Sequence, residues 1–314
     1  MLRIDNGIDL SGGRSERATF WVVFGFVLVG IFVGQFVAGM ATILMAVING
    51  LSLEESMSNP ALIYEYLSLE EVLGGQSLYT LFFTFLIPWF YLKFIAKKTF
   101  KALQPAKNTN ILMIVLAFLA TFAFMFVNSY LVEWNQSWTF PEALSGLENY
   151  LRSLEDELAK TTEQFTNFQT FGQFLVGFIV IAVLPGIGEE LLFRGILQNS
   201  LHRWTKNHHV AIWLAAFLFS FIHFQFFGLV PRMVLGAIFG YLYVWSGNIW
   251  YPIIAHMTNN GISVLVVYLA NVGVIDTDID SADAIPLSVS LLGLVAFIGF
   301  MLLFKNNFSK TTSP

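Results

Sequence analysis

Apolar runs of about 20 residues recur along this chain, and their length and number leave it few possible folds. They fall at 19–47, 78–95, 111–132, 171–200, 210–227, 232–246, 250–270 and 287–304. In hydrocarbon a backbone must satisfy its own hydrogen bonds, so segments of this kind fold as α-helices. The expected architecture is therefore all-α and polytopic: one integral membrane domain over 1–314, with about eight transmembrane helices and one extramembrane amphipathic helix. Hydrophobic residues make up 56% of the chain and charged residues 12%, against roughly 25% charged in soluble domains. A soluble globular fold is excluded. The first apolar run is too long for a signal-peptide core and is expected to be a retained span.

The connecting segments alternate in charge. Arg3, Arg14 and Arg17 precede the first run, Lys97, Lys98, Lys101 and Lys107 follow the second, Arg203 and Lys206 follow the fourth, and Lys305 and Lys310 end the chain. The intervening loops are acidic, with Glu54, Glu55, Glu65, Glu70 and Glu71, then seven carboxylates from Glu133 to Glu163, then Asp276, Asp278, Asp280 and Asp283. Basic loops face the cytoplasm, so both termini are expected there, and the expected setting is a bacterial plasma membrane. Membrane lipids are the expected surroundings and nucleic acid is not an expected partner. Cysteine is absent, which excludes disulfides, thiolate zinc sites and a cysteine nucleophile.

Within 141–168, Leu144, Leu147, Leu151, Leu154 and Leu158 recur at three and four spacing, with Glu148 and Arg152 four apart. This predicts an amphipathic helix whose leucine seam packs on the membrane domain. A partner or a lid role at that helix is the alternative.

Three stretches break the apolar pattern. Glu189-Glu190-Leu191-Leu192-Phe193-Arg194 puts two carboxylates and a guanidinium in the fourth run, Phe219-x-x-x-His223 lies in the fifth, and His256-x-x-x-Asn260 lies in the seventh. Ionisable groups at membrane depth cost several kcal/mol unless paired or functional, which makes each a site hypothesis. Glu190 and Arg194 share a helix face and should pair, whereas Glu189 points about 100° away and stays free to face another helix. Pro185, Gly186 and Gly188 just upstream suggest a kink or local unwinding. Counted inward from the cytoplasmic ends, Glu189 lies about 16 Å deep, His223 about 20 Å, His256 about 9 Å and Asn260 about 15 Å, so the groups could share one layer.

Such a layer suits hydrolysis. A partly desolvated Glu189 is a plausible base toward water, His223 could orient that water, and His256 with Asn260 could stabilise an oxyanion. Glu189, His223 and His256 also form a possible ligand set for a divalent metal such as zinc, with a fourth position for water. Arg232, after Pro231, is expected to end a short outer turn and snorkel to headgroups, contact with substrate being the alternative; Gly236 and Gly240 are expected to mark close helix packing, and His202, His208 and His209 to lie in a solvated interfacial loop. A proton-coupled transporter or a non-proteolytic membrane scaffold is the alternative class, although a transporter should show repeated halves and none is visible.

Glu-Glu-x-x-x-Arg, Phe-x-x-x-His and His-x-x-x-Asn, in this order on late spans, resemble the signature of the CPBP family, the CAAX-processing and bacteriocin-processing intramembrane proteases. The motifs cover residues 189 to 260. The resemblance implies an intramembrane endopeptidase acting on a peptide or lipidated protein substrate, with 171–270 as its catalytic core. It further implies that Glu189 and His223 activate water, that His256 and Asn260 hold the oxyanion, and that Glu190, Arg194 and Phe219 support the site.

Overall fold

The computed structural model describes residues 4, 7–106, 108–275 and 285–310. Arg3, Lys107, Asp276, Asp278, Asp280 and Asp283 lie outside the described residues. The helices are α1 Glu16–Ile48, α2 Leu69–Ala96, α3 Ile111–Gln136, α4 Ser145–Thr166, α5 Phe171–Thr205, α6 His208–Phe221, α7 Leu229–Ser246, α8 Trp250–Asn271 and α9 Leu287–Lys310. Their starts carry the expected caps. Ser15, Asn110, Thr170 and Asn207 accept from backbone N–H groups of the first turn, and Ser68 with Glu71 closes a reciprocal capping box.

Seven of these helices are long and apolar enough to cross a membrane, which makes the protein an integral multi-pass membrane protein. The fifth expected span is represented by α6, which has 14 residues and stops at Phe221. At 1.5 Å per residue it reaches about 21 Å, short of the roughly 30 Å hydrocarbon layer. The chain then reverses through 222–228, where Phe224 takes a left-handed φ of 54°, an unusual conformation for a bulky residue.

α7 is the most enclosed span, with 61% of its apolar window buried against 17% for α9. Gly236 and Gly240 explain how it fits. A Cβ on Gly236 would stand 3.1 Å from both Ala216 Cβ and Arg194 Nη2, and one on Gly240 would stand 2.7 Å from Gln198 Oε1. The two glycines thus let α7 lie close against α5 and α6, as their spacing suggested. The lipid-compatible surface lies elsewhere, on residues such as Phe32, Phe36, Leu292 and Val295, which are about 70% exposed in the isolated chain.

Long-range contacts gather the ends of the spans. Arg203 pairs with Glu16 at 2.5 Å, Trp204 stacks on Phe20, and the Tyr91 hydroxyl donates to the Leu10 carbonyl. The start of α1 and the ends of α2 and α5 therefore share one side, the side of the basic segments. His202 belongs to this packing and is buried at 5% exposure, not solvated as expected. His209 sits 2.7 Å from the Tyr241 hydroxyl.

On the opposite side lies α4, within the expected 141–168. None of its residues is fully buried, and Leu144 and Leu147 remain half exposed. Arg152 pairs with Glu148 as the spacing predicts, donates to the Trp138 carbonyl and lies over the Phe227 ring at 4.0 Å. The Phe140 N–H on Glu148, with Arg152 beside it, holds that carboxyl below its ordinary range.

Candidate active site

The site is built on α5, which stays helical through Pro185. Wider i→i+5 turns occupy Ile179–Val183 and Leu191–Gln198, on either side of Leu184–Glu190. Turns of this kind re-aim side chains inside a continuous helix and cluster at functional sites. Pro185 has no N–H to give to the carbonyl four residues back, that of Ile181. Asn260 Nδ2 donates to that oxygen at 3.1 Å.

The glycines beside Pro185 serve contact between helices, and the chain stays helical through them, with the wider turns on either side. A Cβ on Gly186 would stand 2.6 Å from Met257 Cγ, and a Cβ on Gly188 would collide with Thr84 of α2. α8 approaches α5 on one face and α2 approaches it on another. Close approach is what brings His256 onto the carboxylates.

Glu190 and Arg194 form the expected pair, with Arg194 Nη1 donating to Glu190 Oε1 at 2.7 Å and both side chains at 1% exposure or less. Arg194 Nη2 donates to the Gly236 carbonyl at 2.9 Å, and the guanidinium lies over Phe219 and Phe239 at 4.7 and 5.3 Å. The same Glu190 Oε1 accepts from His256 Nδ1 at 2.8 Å. His256 Nε2 is thereby turned toward Glu189 Oε2, 3.8 Å away. Two neighbouring carboxylates thus have unlike surroundings. Glu190 is enclosed and charge-paired, whereas Glu189 keeps 16% exposure and makes no close ion pair among the described residues.

Phe219 is central to the aromatic packing. Its ring lies 5.2 Å from His223 and 5.9 Å from His256, and its carbonyl accepts from His223 Nδ1 at 2.8 Å. With Nδ1 carrying the proton, His223 Nε2 is left as an acceptor. Phe239 stacks on His256 at 5.3 Å. His223 lies in the reversal after α6 and not within a helix as expected. The helix has already ended at Phe221, and the Phe219 carbonyl then takes the imidazole.

Residues remote in sequence hold that reversal. Asn135, at the end of α3, accepts from the Val230 N–H and donates to the Phe226 carbonyl. Glu155 of α4 accepts from the Phe227 N–H at 2.7 Å, and the Ser220 hydroxyl donates to the Leu229 carbonyl. Arg232, in the first turn of α7, donates to Gln225 Oε1. Its guanidinium turns inward to the reversal, where Gln225 accepts from Nη2 and Nη1 is buried. No sequence pattern singles out Asn135, Gln225 or Glu155. Their partners lie up to 95 residues away.

Glu189, Glu190, Arg194 and His256 are therefore brought into contact, with Phe219 joining His223 to them. Asn260 lies one turn beyond His256 on α8. Glu189, His223 and His256 do not converge as a three-ligand set, and no group of three His, Asp or Glu side chains among the described residues fits a metal ion.

Seven membrane-length helices around a buried carboxylate–imidazole–guanidinium centre define a polytopic membrane protein with an ionisable intramembrane site. Residues 171–262, which include the helices that carry the site, match the family model of type II CAAX prenyl endopeptidase Rce1-like proteins. The chain is 29% identical over 82 residues to "Uncharacterized protein YpbD" of Bacillus subtilis (strain 168), covering 25% of this chain and 39% of the relative. It is 31% identical over 88 residues to "Putative membrane peptidase YdiL" of the same organism, covering 28% of this chain and 36% of the relative. The chain thus spans under two fifths of the length of either relative. No solved structure matches it.

Proposed function

We propose that the chain is an intramembrane endopeptidase that hydrolyses a peptide bond of a membrane-associated or lipidated substrate. The observation that carries this reading is the division of labour between adjacent carboxylates. Glu190 Oε1 already takes Arg194 and His256, while Glu189 meets His256 Nε2 only at 3.8 Å, beyond hydrogen-bond reach. A carboxylate with free lone pairs in a low-dielectric layer is suited to take a proton from water.

In this mechanism Glu189 removes a proton as the water oxygen attacks the carbonyl carbon. His223 Nε2 orients the same water, its ring fixed by the Nδ1–H bond to Phe219. The oxyanion is met by His256, whose Nε2 becomes a donor when the ring is protonated beside Glu190, and by the second Nδ2 hydrogen of Asn260. Glu189 then passes its proton to the leaving amine. Glu190 and Arg194 keep His256 in place and balance its charge. The family match and the name of one relative support hydrolysis over the transporter and scaffold alternatives.

The test is cleavage of a panel of prenylated and unprenylated peptides by purified protein, with Glu189→Gln in the same detergent. Wild type should cleave at least one class, and Glu189→Gln should lose turnover while its unfolding midpoint stays within about 1 kcal/mol of wild type, since Gln keeps the volume but is no base. Equal cleavage by both would remove Glu189 from the chemistry.

A further inference from the structure

Two arginines lie near the site, and they are treated differently. Arg194 is closed off by a carboxylate at 2.7 Å, a backbone carbonyl and two aromatic faces. Arg232 has one side-chain partner, the neutral Gln225. Its guanidinium rests against Gly228, and its Nη1 is buried with no hydrogen-bond partner. No carboxylate among the described residues forms an ion pair with it, although Glu189 and Glu155 both act on it electrostatically and it acts on His223 in turn.

A buried guanidinium with an idle donor is costly, and the common remedy is a contact carboxylate. Here two carboxylates are close enough to be felt and neither is in contact. Gln225 fixes one edge of the planar group, which leaves the Nη1 edge oriented and unused. That edge suits a carboxylate, which matches both the charge and the fork of a guanidinium. A carboxylate held there would sit in the same electrostatic surroundings as Glu189 and His223, which both interact with Arg232.

We propose that Arg232 is a specificity-determining residue whose Nη1 edge receives a carboxylate of the substrate, set apart from the bond that is cut. The inference rests on the endopeptidase reading for its context, but binding tests it separately. Three fluorescent peptides serve as probes: one sequence with a C-terminal carboxylate, the same sequence as a carboxamide, and that carboxamide with its last residue replaced by Asp. Equilibrium binding is measured on full-length Glu189→Gln protein in detergent, alone and combined with Arg232→Gln or Arg232→Lys, and cleavage is followed with the wild-type protein and its Arg232 variants.

The carboxylate peptide should bind about tenfold more tightly than the carboxamide, the usual effect of one charged hydrogen bond. Arg232→Gln should erase that ratio, and Arg232→Lys, which keeps the charge but not the fork, should retain part of it. The Asp peptide separates the two sources: binding like the acid means a side-chain carboxylate is accepted, and binding like the amide means a terminal one is required. Equal or absent binding of acid and amide would overturn the proposal. So would a preference that survives Arg232→Gln, or a fall in kcat on both peptides with their ratio unchanged, which marks a transition-state role. A carboxylate preference without cleavage of any peptide by wild type would keep the anion site and reject the endopeptidase reading.

Discussion

Arg194→Met isolates the charge that holds the centre together. Met retains much of the arginine volume, so little of the effect comes from a cavity. The change removes the 2.7 Å bond to Glu190, the bond to the Gly236 carbonyl and two cation–aromatic contacts, and it leaves Glu190 at 0% exposure without a counter-charge. Breaking a buried pair by deleting one partner costs roughly 3–5 kcal/mol. For a chain of this size that corresponds to a fall in Tm of roughly 6–10 °C, at about 2 °C per kcal/mol. The assay is thermal unfolding in one detergent at matched protein concentration. Arg194→Met/Glu190→Gln completes the cycle. It should recover at least about 1.5 kcal/mol relative to the sum of the single variants, because the stranded charge is gone. A single-variant cost below about 1 kcal/mol, or strict additivity in the cycle, would refute the assignment of Glu190 and Arg194 as a charge-paired support.

Three further outcomes are expected. Asn260→Ala should cost about 1–3 kcal/mol by stranding the Ile181 carbonyl, and markedly less in a Pro185→Ala background, where a backbone N–H returns; unfolding midpoints of the four proteins decide, and an unchanged cost would sink the link to Pro185. Gly186→Ala should destabilise by about 1–3 kcal/mol through its overlap with Met257 Cγ, and Met257→Ala in the same chain should relieve part of that; a neutral Gly186→Ala would mean that α5 and α8 do not approach as closely as described. Because the folded state depresses the Glu148 pKa, its contribution to docking α4 is present above the ordinary carboxylate range and is lost as pH falls through the lowered value. Hydrogen exchange over 138–160 should therefore quicken in acid in the wild type, and Glu148→Gln should exchange quickly at neutral pH as well, with the acid step gone.

The spans were legible because each is decided locally. A run such as 111–132 has no alternative to a helix in lipid, whatever its neighbours do, and α3 extends that run by only a few residues. The pairing of Glu190 with Arg194 was equally local, being one helical turn. The early end of α6 was not, since nothing in the apolar 210–227 window separates the helix from the reversal after Phe221. That reversal is stabilised by Asn135, Glu155 and Arg232 from three other helices. Pro185 and its glycines were only partly legible for a related reason. Residue type shows that a helix is weakened, but only the neighbouring helix shows whether the gap is filled, here by Asn260 and by Met257 packed on Gly186.

Sequence alone thus determined an all-α membrane protein, all but one of its spans, the extramembrane amphipathic helix and the roster of ionisable residues within the apolar runs, because burial in lipid and helical spacing act over one or two turns. Tertiary structure decided which of those residues meet. His256 Nδ1 reaches Glu190, Asn260 caps a carbonyl that proline left open, and Arg232 turns in while keeping one donor unused. Each outcome depends on how closely two helices approach, and that distance is set by packing between residues far apart in the chain.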